Sequence, residues 1–382
     1  MRELVPDQQG MILVLMFVVG NTLLYSLGGL AGADIWLAFL IAMGAALPMV
    51  LLLARIRSLL HGTSLGAGLE GIIGKWPARL LALLYAGHSW RLACYVVSDV
   101  TNFVQAVALP TTPQVVLATL FALLMLWAAK EGVEVMARFA VLMSKIVFGV
   151  LAVIFLLLLS EVDLAEFQPV MYGGLKPVVQ GALQLLYFPF LEPVILVWVF
   201  DCFSTKNSPY KVFVPGFLLA ALTLMIMASA SLSVVGAHRY AQFFFPVWTA
   251  VGRINVAAFL TRLEAIVGIS FAIGSFIKMA VCLLAASKAL AYAFGFSDYR
   301  FVVTPLAMGV IPGSQWFITT VLEVERSATA THSVSEIALQ VVAPVVVWMI
   351  AEIRTRGSAE KGKQGNARRA QAGGGGATSN KS

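Results

Sequence analysis

The sequence predicts an all-α, multi-pass membrane protein of ten transmembrane helices, built as two inverted halves of five helices with helices one and six broken in mid-membrane. Three observations lead there: too little charge to coat a soluble globule, ten apolar runs of membrane length, and helix breakers at matching places in runs one and six. Of the 382 residues, 60% are hydrophobic and 12% charged, and the mean hydropathy is +0.89. An ordinary soluble domain carries about 25% charged residues, so much of this surface must face lipid.

Taken in order, the apolar runs fall at 11–30, 35–54, 80–108, 114–129, 138–160, 178–200, 212–236, 263–287, 301–322 and 334–352. Each approaches the roughly 20 residues that a helix needs to cross the hydrocarbon. The first run has little basic segment before it and no small-residue cleavage site after it, so it is expected to stay as a span. The chain divides into a first repeat over 1–172, a second over 173–354, and a tail over 355–382. That tail is rich in Gly, Ala, Ser, Lys and Arg and includes Gly373-Gly374-Gly375-Gly376. It cannot bury a core and is expected to be disordered, with basic residues near anionic headgroups.

Loop charge gives the orientation. Counting alternate loops, 18 Lys and Arg lie on one side and 5 on the other, with Arg91, Lys145 and Lys278 inside spans. The positive-inside rule then places both termini in the cytoplasm.

A lipid-exposed helix cannot interrupt its hydrogen bonds, so breaks belong where protein or a cavity satisfies the backbone. Run one carries Gly20-Asn21-Thr22 and then Gly28-Gly29. Run six carries Phe188-Pro189-Phe190-Leu191-Glu192-Pro193, two prolines one turn apart around a carboxylic acid. Each proline removes an N–H and crowds the preceding turn. A pair of simple kinks would explain either run alone, but breaks at matching positions of two inverted halves point to a midplane binding site. In run three, His88, Arg91, Tyr95, Ser98, Asn102 and Gln105 share a helical stripe about 100° wide, with Asp99 at its margin. Such a stripe faces the bundle interior, either for helix–helix hydrogen bonds or for a ligand.

Three intramembrane charges add to the pattern: Lys145 in run five, Glu192 in run six and Lys278 in run eight. A charge at the bilayer centre costs at least about 2.5 kcal/mol, so pairing or function is expected. Glu192 could pair with Lys278, or a buried lysine could give up its proton and act as a relay. Arg262 and Glu264 at the mouth of run eight suggest an interfacial pair. Cys94, Cys202 and Cys282 offer no disulfide framework, and His61, His88, His238 and His332 no zinc spacing. Nucleotide-loop and metalloprotease motifs are missing. No enzymatic activity, cofactor, metal or nucleic-acid partner is expected.

Several ordered motifs carry a resemblance. Gly32-Ala33-Asp34-Ile35-Trp36-Leu37 resembles a G-x-D-x-W turn, and Leu109-Pro110-Thr111-Thr112-Pro113 an L-P-x-T-P link. Ala129-Lys130-Glu131-Gly132-Val133-Glu134 with Ala137-Arg138 is similar to the next cytoplasmic loop. Phe188 to Glu192 resembles F-P-F-G-E, and Arg262-Leu263-Glu264 an R-x-E opening. Together, over 7–350, these resemble the B subunit of spore germinant receptors, the GerAB-type permeases of the amino acid–polyamine–organocation superfamily.

The resemblance implies a LeuT-type fold, an inner spore membrane location, and assembly with an A subunit and a C lipoprotein. It also implies sensing of a small nutrient, usually an amino acid. Ligand-binding residues carried over from it, together with the polar stripe, are Gly20, Asn21, Thr22, Tyr95, Ser98, Asn102, Phe188, Pro189, Phe190 and Leu191. Lys145, Glu192 and Lys278 are the residues expected to couple ions or protons, and in some proton-coupled relatives a span-five lysine replaces a sodium ion. Two departures matter: Leu191 stands for the glycine of F-P-F-G-E, and Tyr25 near a position where many members carry proline. Both shrink the expected pocket. A sensing subunit is the leading expectation, a proton-coupled amino acid transporter the alternative, and a water or ion conduit the third.

Overall fold

The computed structural model describes residues 4–200, 203–253, 263–317 and 336–354. The tail over 355–382, Cys202, Arg262 and His332 lie outside them. Among the described residues the regular secondary structure is helical, with no strand element. The first crossing is α1 (Asp7–Val19), an irregular stretch over 20–28 and a 3-10 turn, Gly29–Asp34. It is followed by α2 (Ile35–Leu59), the short α3 (Leu65–Ile73), α4 (Lys75–Val107), α5 (Gln114–Glu131) and α6 (Val133–Leu158).

The second half begins with α7 (Leu175–Leu185), a π-turn at Leu186–Phe190, a 3-10 turn at Glu192–Ile195 and α8 (Leu196–Val199), which together make one broken crossing. It continues through α9 (Ser208–Val235), the short α10 (Ala237–Tyr240) and α11 (Pro246–Val251), α12 (Leu263–Phe294) and α13 (Arg300–Phe317). A last helix, α14, runs over 336–354 with a π-turn at Ala338–Val342.

Seven of these crossings are long and apolar enough to span a bilayer. Of the other three, α1 is cut to 13 residues by its break, α13 carries Pro305 and Pro312, and α14 begins at the edge of the described residues. The ten crossings form the expected five-plus-five arrangement. Equivalent helices of the two halves pack against each other, α2 on α9, α4 on α12 and α5 on α13, which is compatible with an in-plane pseudo-two-fold axis. Helix α4 is 33 residues long, about 50 Å at 1.5 Å per residue. It therefore outruns the hydrocarbon and carries its polar residues at several depths.

The elements absent from the ten-run reading are short. In α3 the Ser64 hydroxyl caps the Ala67 N–H at 3.4 Å, and Leu65, Leu69 and Ile72 are buried. The pair α10–α11 folds over one end of the bundle between α9 and α12. Two carboxylates tie loops together: Asp34 accepts from the Met171 N–H at 2.9 Å within the first half, and Glu166 from the Ala237 N–H at 2.8 Å across the halves. Asp34 belongs to the G-x-D-x-W turn, so that motif joins the first crossing to the inter-repeat loop. At another end Arg55 pairs with Glu352 at 2.9 Å and the Tyr292 hydroxyl donates to Glu70.

Candidate functional site at the helix breaks

The break in the first crossing begins where α1 runs out of i→i−4 hydrogen bonds. Gly20 N–H still reaches Met16 O at 2.9 Å, after which Thr22, Tyr25 and Ala31 make only i→i−3 turns. The Thr22 hydroxyl donates to Val18 O and Val19 O at 2.6 and 2.7 Å, so it covers the Val18 carbonyl at the helix end and adds to the Val19 carbonyl that its own N–H already reaches. Gly28 adopts φ +67°, and a Cβ there would lie 3.1 Å from Leu185 of α7, so the turn back into the membrane needs glycine. In the second broken crossing Phe188 is extended at φ −141°, ψ 112°, and Pro189 and Pro193 prevent a continuous ladder.

Helix α12 fills the space between the two breaks. A Cβ on Gly274 would lie 2.9 Å from Gly20 O, and one on Gly20 would lie 3.0 Å from Cβ and Cδ of Lys278. One turn along α12 from Gly274, Lys278 is 0% exposed. Its Nζ donates to Glu192 Oε2 at 2.5 Å and to Asn21 Oδ1 at 2.8 Å. Asn21 Nδ2 in turn donates to Asp99 Oδ2 of α4 at 2.5 Å. Glu192, Asn21 and Asp99 are 3%, 1% and 5% exposed, so the chain Glu192–Lys278–Asn21–Asp99 is cut off from solvent.

Helix dipoles explain why the charges stand where they do. The ammonium lies beside the carbonyl end of α1, where partial negative charge favours a cation. Glu192 opens the second half of the broken crossing, where free N–H groups favour an anion. Aromatic rings complete the shell. Lys278 Nζ lies 5.0 Å from the centroid of Phe188 and 5.5 Å from that of Phe17, within cation–π range. The Tyr25 hydroxyl is directed at Asp99, and its ring packs on Phe188 at 6.1 Å and Phe245 at 5.8 Å. Phe103, Trp248 and Phe271 continue that cluster.

The breaks therefore bring together Gly20, Asn21, Phe188, Glu192 and Lys278. Lys278 and Glu192 pair directly. Other residues expected here go elsewhere. Lys145 stands on the exposed face of α6 beside Leu142 and Ile146, so the ammonium at the centre of the bundle is that of Lys278. Tyr95 packs on Phe317 of α13 at 5.8 Å, next to Arg91, which pairs with Glu336 of α14 at 3.2 Å. Ser98 and Asn102 hydrogen-bond each other, and Gln114 of α5 donates to Asn102 Oδ1 at 2.9 Å. Phe190 enters the core against Phe39 and Phe217. Pro189 and Leu191 are buried, and the Leu191 N–H closes the π-turn on Leu186 O at 3.0 Å. Arg262 and the Glu264 side chain are outside the described residues.

Phe17, Phe245 and Gly274 are residues at this junction that the sequence pattern did not single out, and Asp99 stood only at the margin of the stripe. Among the described residues no group of His, Cys, Asp and Glu is arranged to hold a metal ion.

A ten-crossing bundle with two broken helices meeting over buried charge is the architecture of a permease-type membrane protein. The chain belongs to the spore permease family of spore germination proteins, whose pattern it matches over residues 4–317. It is 23% identical over 307 residues to spore germination protein KB of Bacillus subtilis (strain 168), covering 80% of this chain and 82% of that one. Among solved structures it resembles MhsT in complex with L-phenylalanine, with a TM-score of 0.65 at 13% identity, covering 92% of this chain and 99% of MhsT. A substrate-bound, outward-open Na+-coupled sialic acid symporter gives the same TM-score at 12% identity, over 85% and 76% of the two chains. At these identities the likeness establishes the LeuT-type fold alone.

Proposed function

We propose that this chain is the nutrient-sensing subunit of a germinant receptor. In this reading a small amino acid binds between the broken stretches of the first and sixth crossings, and the resulting conformational change passes to partner subunits. The observation that carries it is the meeting of both breaks across Lys278: a ligand entering between them has to reposition a charged tie that spans α1, α12 and the sixth crossing. Membership of a spore germination family supports the biological setting. An A subunit and a C lipoprotein are the proposed partners, and the inner spore membrane the proposed location. The asymmetry of loop charge supports cytoplasmic termini.

A proton-coupled amino acid transporter is the second reading, favoured by the likeness to a coupled symporter. The test uses purified protein in proteoliposomes under an imposed pH gradient, with binding and uptake of labelled amino acids measured in the same samples. Binding without accumulation is the expected result. Accumulation driven by the gradient would replace sensing with transport.

A further inference from the structure

The fifth crossing carries a charge that the bundle does not use. Helix α6 packs on α1 and α12, with Ala137, Ala140, Ser144 and Val147 on its buried face. Lys145 points the other way. It is exposed, as are Leu142 and Ile146 beside it, at 57% and 50%, and among the described residues no side chain pairs with it. Its depth makes that exposure costly. The apolar run around it extends from Phe139 to Leu159, the length of a hydrocarbon crossing. At 1.5 Å per residue, Lys145 lies about 10 Å along the axis from Arg138 and about 24 Å from Glu161. A helical side chain leans towards the N-terminal end, here the Arg138 end, and a lysine can snorkel in that direction. An extended lysine stem is shorter than that distance, so the ammonium stays below the level of Arg138, which already has Glu134 as its partner. Hydrocarbon does not solvate a charge left there, and a counter-charge is expected.

The surface beside Lys145 has the shape that a helix needs. Leu142, Lys145, Gly149, Ala152 and Leu156 follow one another at alternating steps of three and four residues, the spacing of a seam between two helices. Gly149 and Ala152 are exposed, and a Cβ on Gly149 would meet nothing within 4 Å. Fluid acyl chains need no recess, whereas a neighbouring helix approaches closely where residues are small. A second copy of this chain does not supply the counter-charge. Face to face it sets Lys145 against Lys145. Among the described residues its carboxylates within the crossings are also committed, Asp99 and Glu192 being buried and Glu336 held by Arg91 at 3.2 Å. We infer that this face of α6 receives a transmembrane helix of a partner chain, which sets an aspartate or glutamate against Lys145 and packs closely over Gly149. The inference rests on the assembly proposed above and gives that assembly a face. An acyl anchor brings no carboxylate to this depth, so of the proposed partners the A subunit is the one to test.

The experiment co-expresses the full chain with the A subunit and the C lipoprotein and purifies it through a tag on this chain. A photo-crosslinking benzoylphenylalanine replaces Ile146, next to Lys145 on the same face. Illumination is expected to give an adduct with the A subunit. Lys145→Glu, which sets like charges against each other, should lower the A subunit recovered with the chain at least about tenfold, and Lys145→Arg should stay within about twofold. Gly149→Leu, which fills the recess, should lower recovery in the same direction. If the A subunit still co-purifies while position 146 captures only lipid or a second copy, the face is overturned and the assembly stands. Recovery with Lys145→Glu within about twofold of the unmodified chain overturns the charge pairing on which the inference depends. Should Lys145→Glu fail to fold, the adduct formed at position 146 and the Gly149→Leu variant decide. Failure of the unmodified chain to co-purify with the A subunit overturns both the face and the assembly reading.

Discussion

Replacing Lys278 by methionine keeps the length and apolar stem of the side chain that packs on Gly20 and removes only the ammonium. Glu192, 3% exposed, then loses its partner at 2.5 Å, and Asn21 Oδ1 loses its donor at 2.8 Å. Breaking a buried pair from one side costs about 3–5 kcal/mol, and an orphaned amide oxygen about 1 kcal/mol more. A loss of about 4 kcal/mol is therefore expected, since the two contributions share one donor and do not add fully. The double variant Lys278→Met with Glu192→Gln leaves no unpaired charge and should recover at least about 2 kcal/mol of that loss. Chemical unfolding in nanodiscs, followed by tryptophan fluorescence across the four proteins of the cycle, measures both quantities. Single-variant costs below about 1 kcal/mol, or costs that add within about 0.5 kcal/mol, would refute the view that this pair holds the two breaks together.

Other outcomes follow from the same geometry. Gly20→Ala puts a methyl 2.9 Å from Phe17 O and 3.0 Å from the Lys278 stem; a loss of about 1–3 kcal/mol is expected from overpacking, read by thermal unfolding, and a neutral effect would show that α12 can move away. Thr22→Val removes the hydroxyl that covers Val18 O and Val19 O and should cost about 1–2 kcal/mol, whereas Thr22→Ser should recover most of it in the same assay. With an ammonium built into the junction of the breaks, ligand binding should be the same in sodium and in choline chloride. An absolute sodium requirement in equilibrium binding would show that Lys278 does not stand in for a bound cation.

The helix breaks were legible because their chemistry is local. Gly20-Asn21-Thr22 and the prolines at 189 and 193 interrupt a hydrogen-bond ladder whatever packs around them. The charge at the centre was legible as a set of residues but not as a geometry. Lys145 and Lys278 are both single lysines in apolar runs, and in lipid both faces of a helix are apolar, so periodicity alone cannot say which one points inward. Small residues carry the missing signal. In α6 the buried face runs through Ala137, Ala140 and Ser144, the size pattern of membrane helix packing, and Lys145 lies one residue off that row.

Along the polar stripe of α4 the structure shows helix–helix contacts, one of the two roles its spacing allowed. Its residues do share a face, but over 33 residues that face meets α13 and α14 near Arg91 and α5 near Asn102. Asp99, at its edge, turns towards the first crossing and meets Asn21. Which neighbour a helix face meets depends on long-range packing, and local spacing does not contain it. The short helices α3, α10 and α11 were absent from the reading because four to nine residues are too few to show a period.

The approach of Gly274 to the carbonyl of Gly20 has a mechanical consequence. Where two main chains bear on one another with no side chain between them, there is no rotamer to absorb a displacement. A tilt of the first half-helix is delivered to α12 as a rigid push along the length of the longest interior rod in the second half. Motion at the break would therefore be felt first by α12 at this contact.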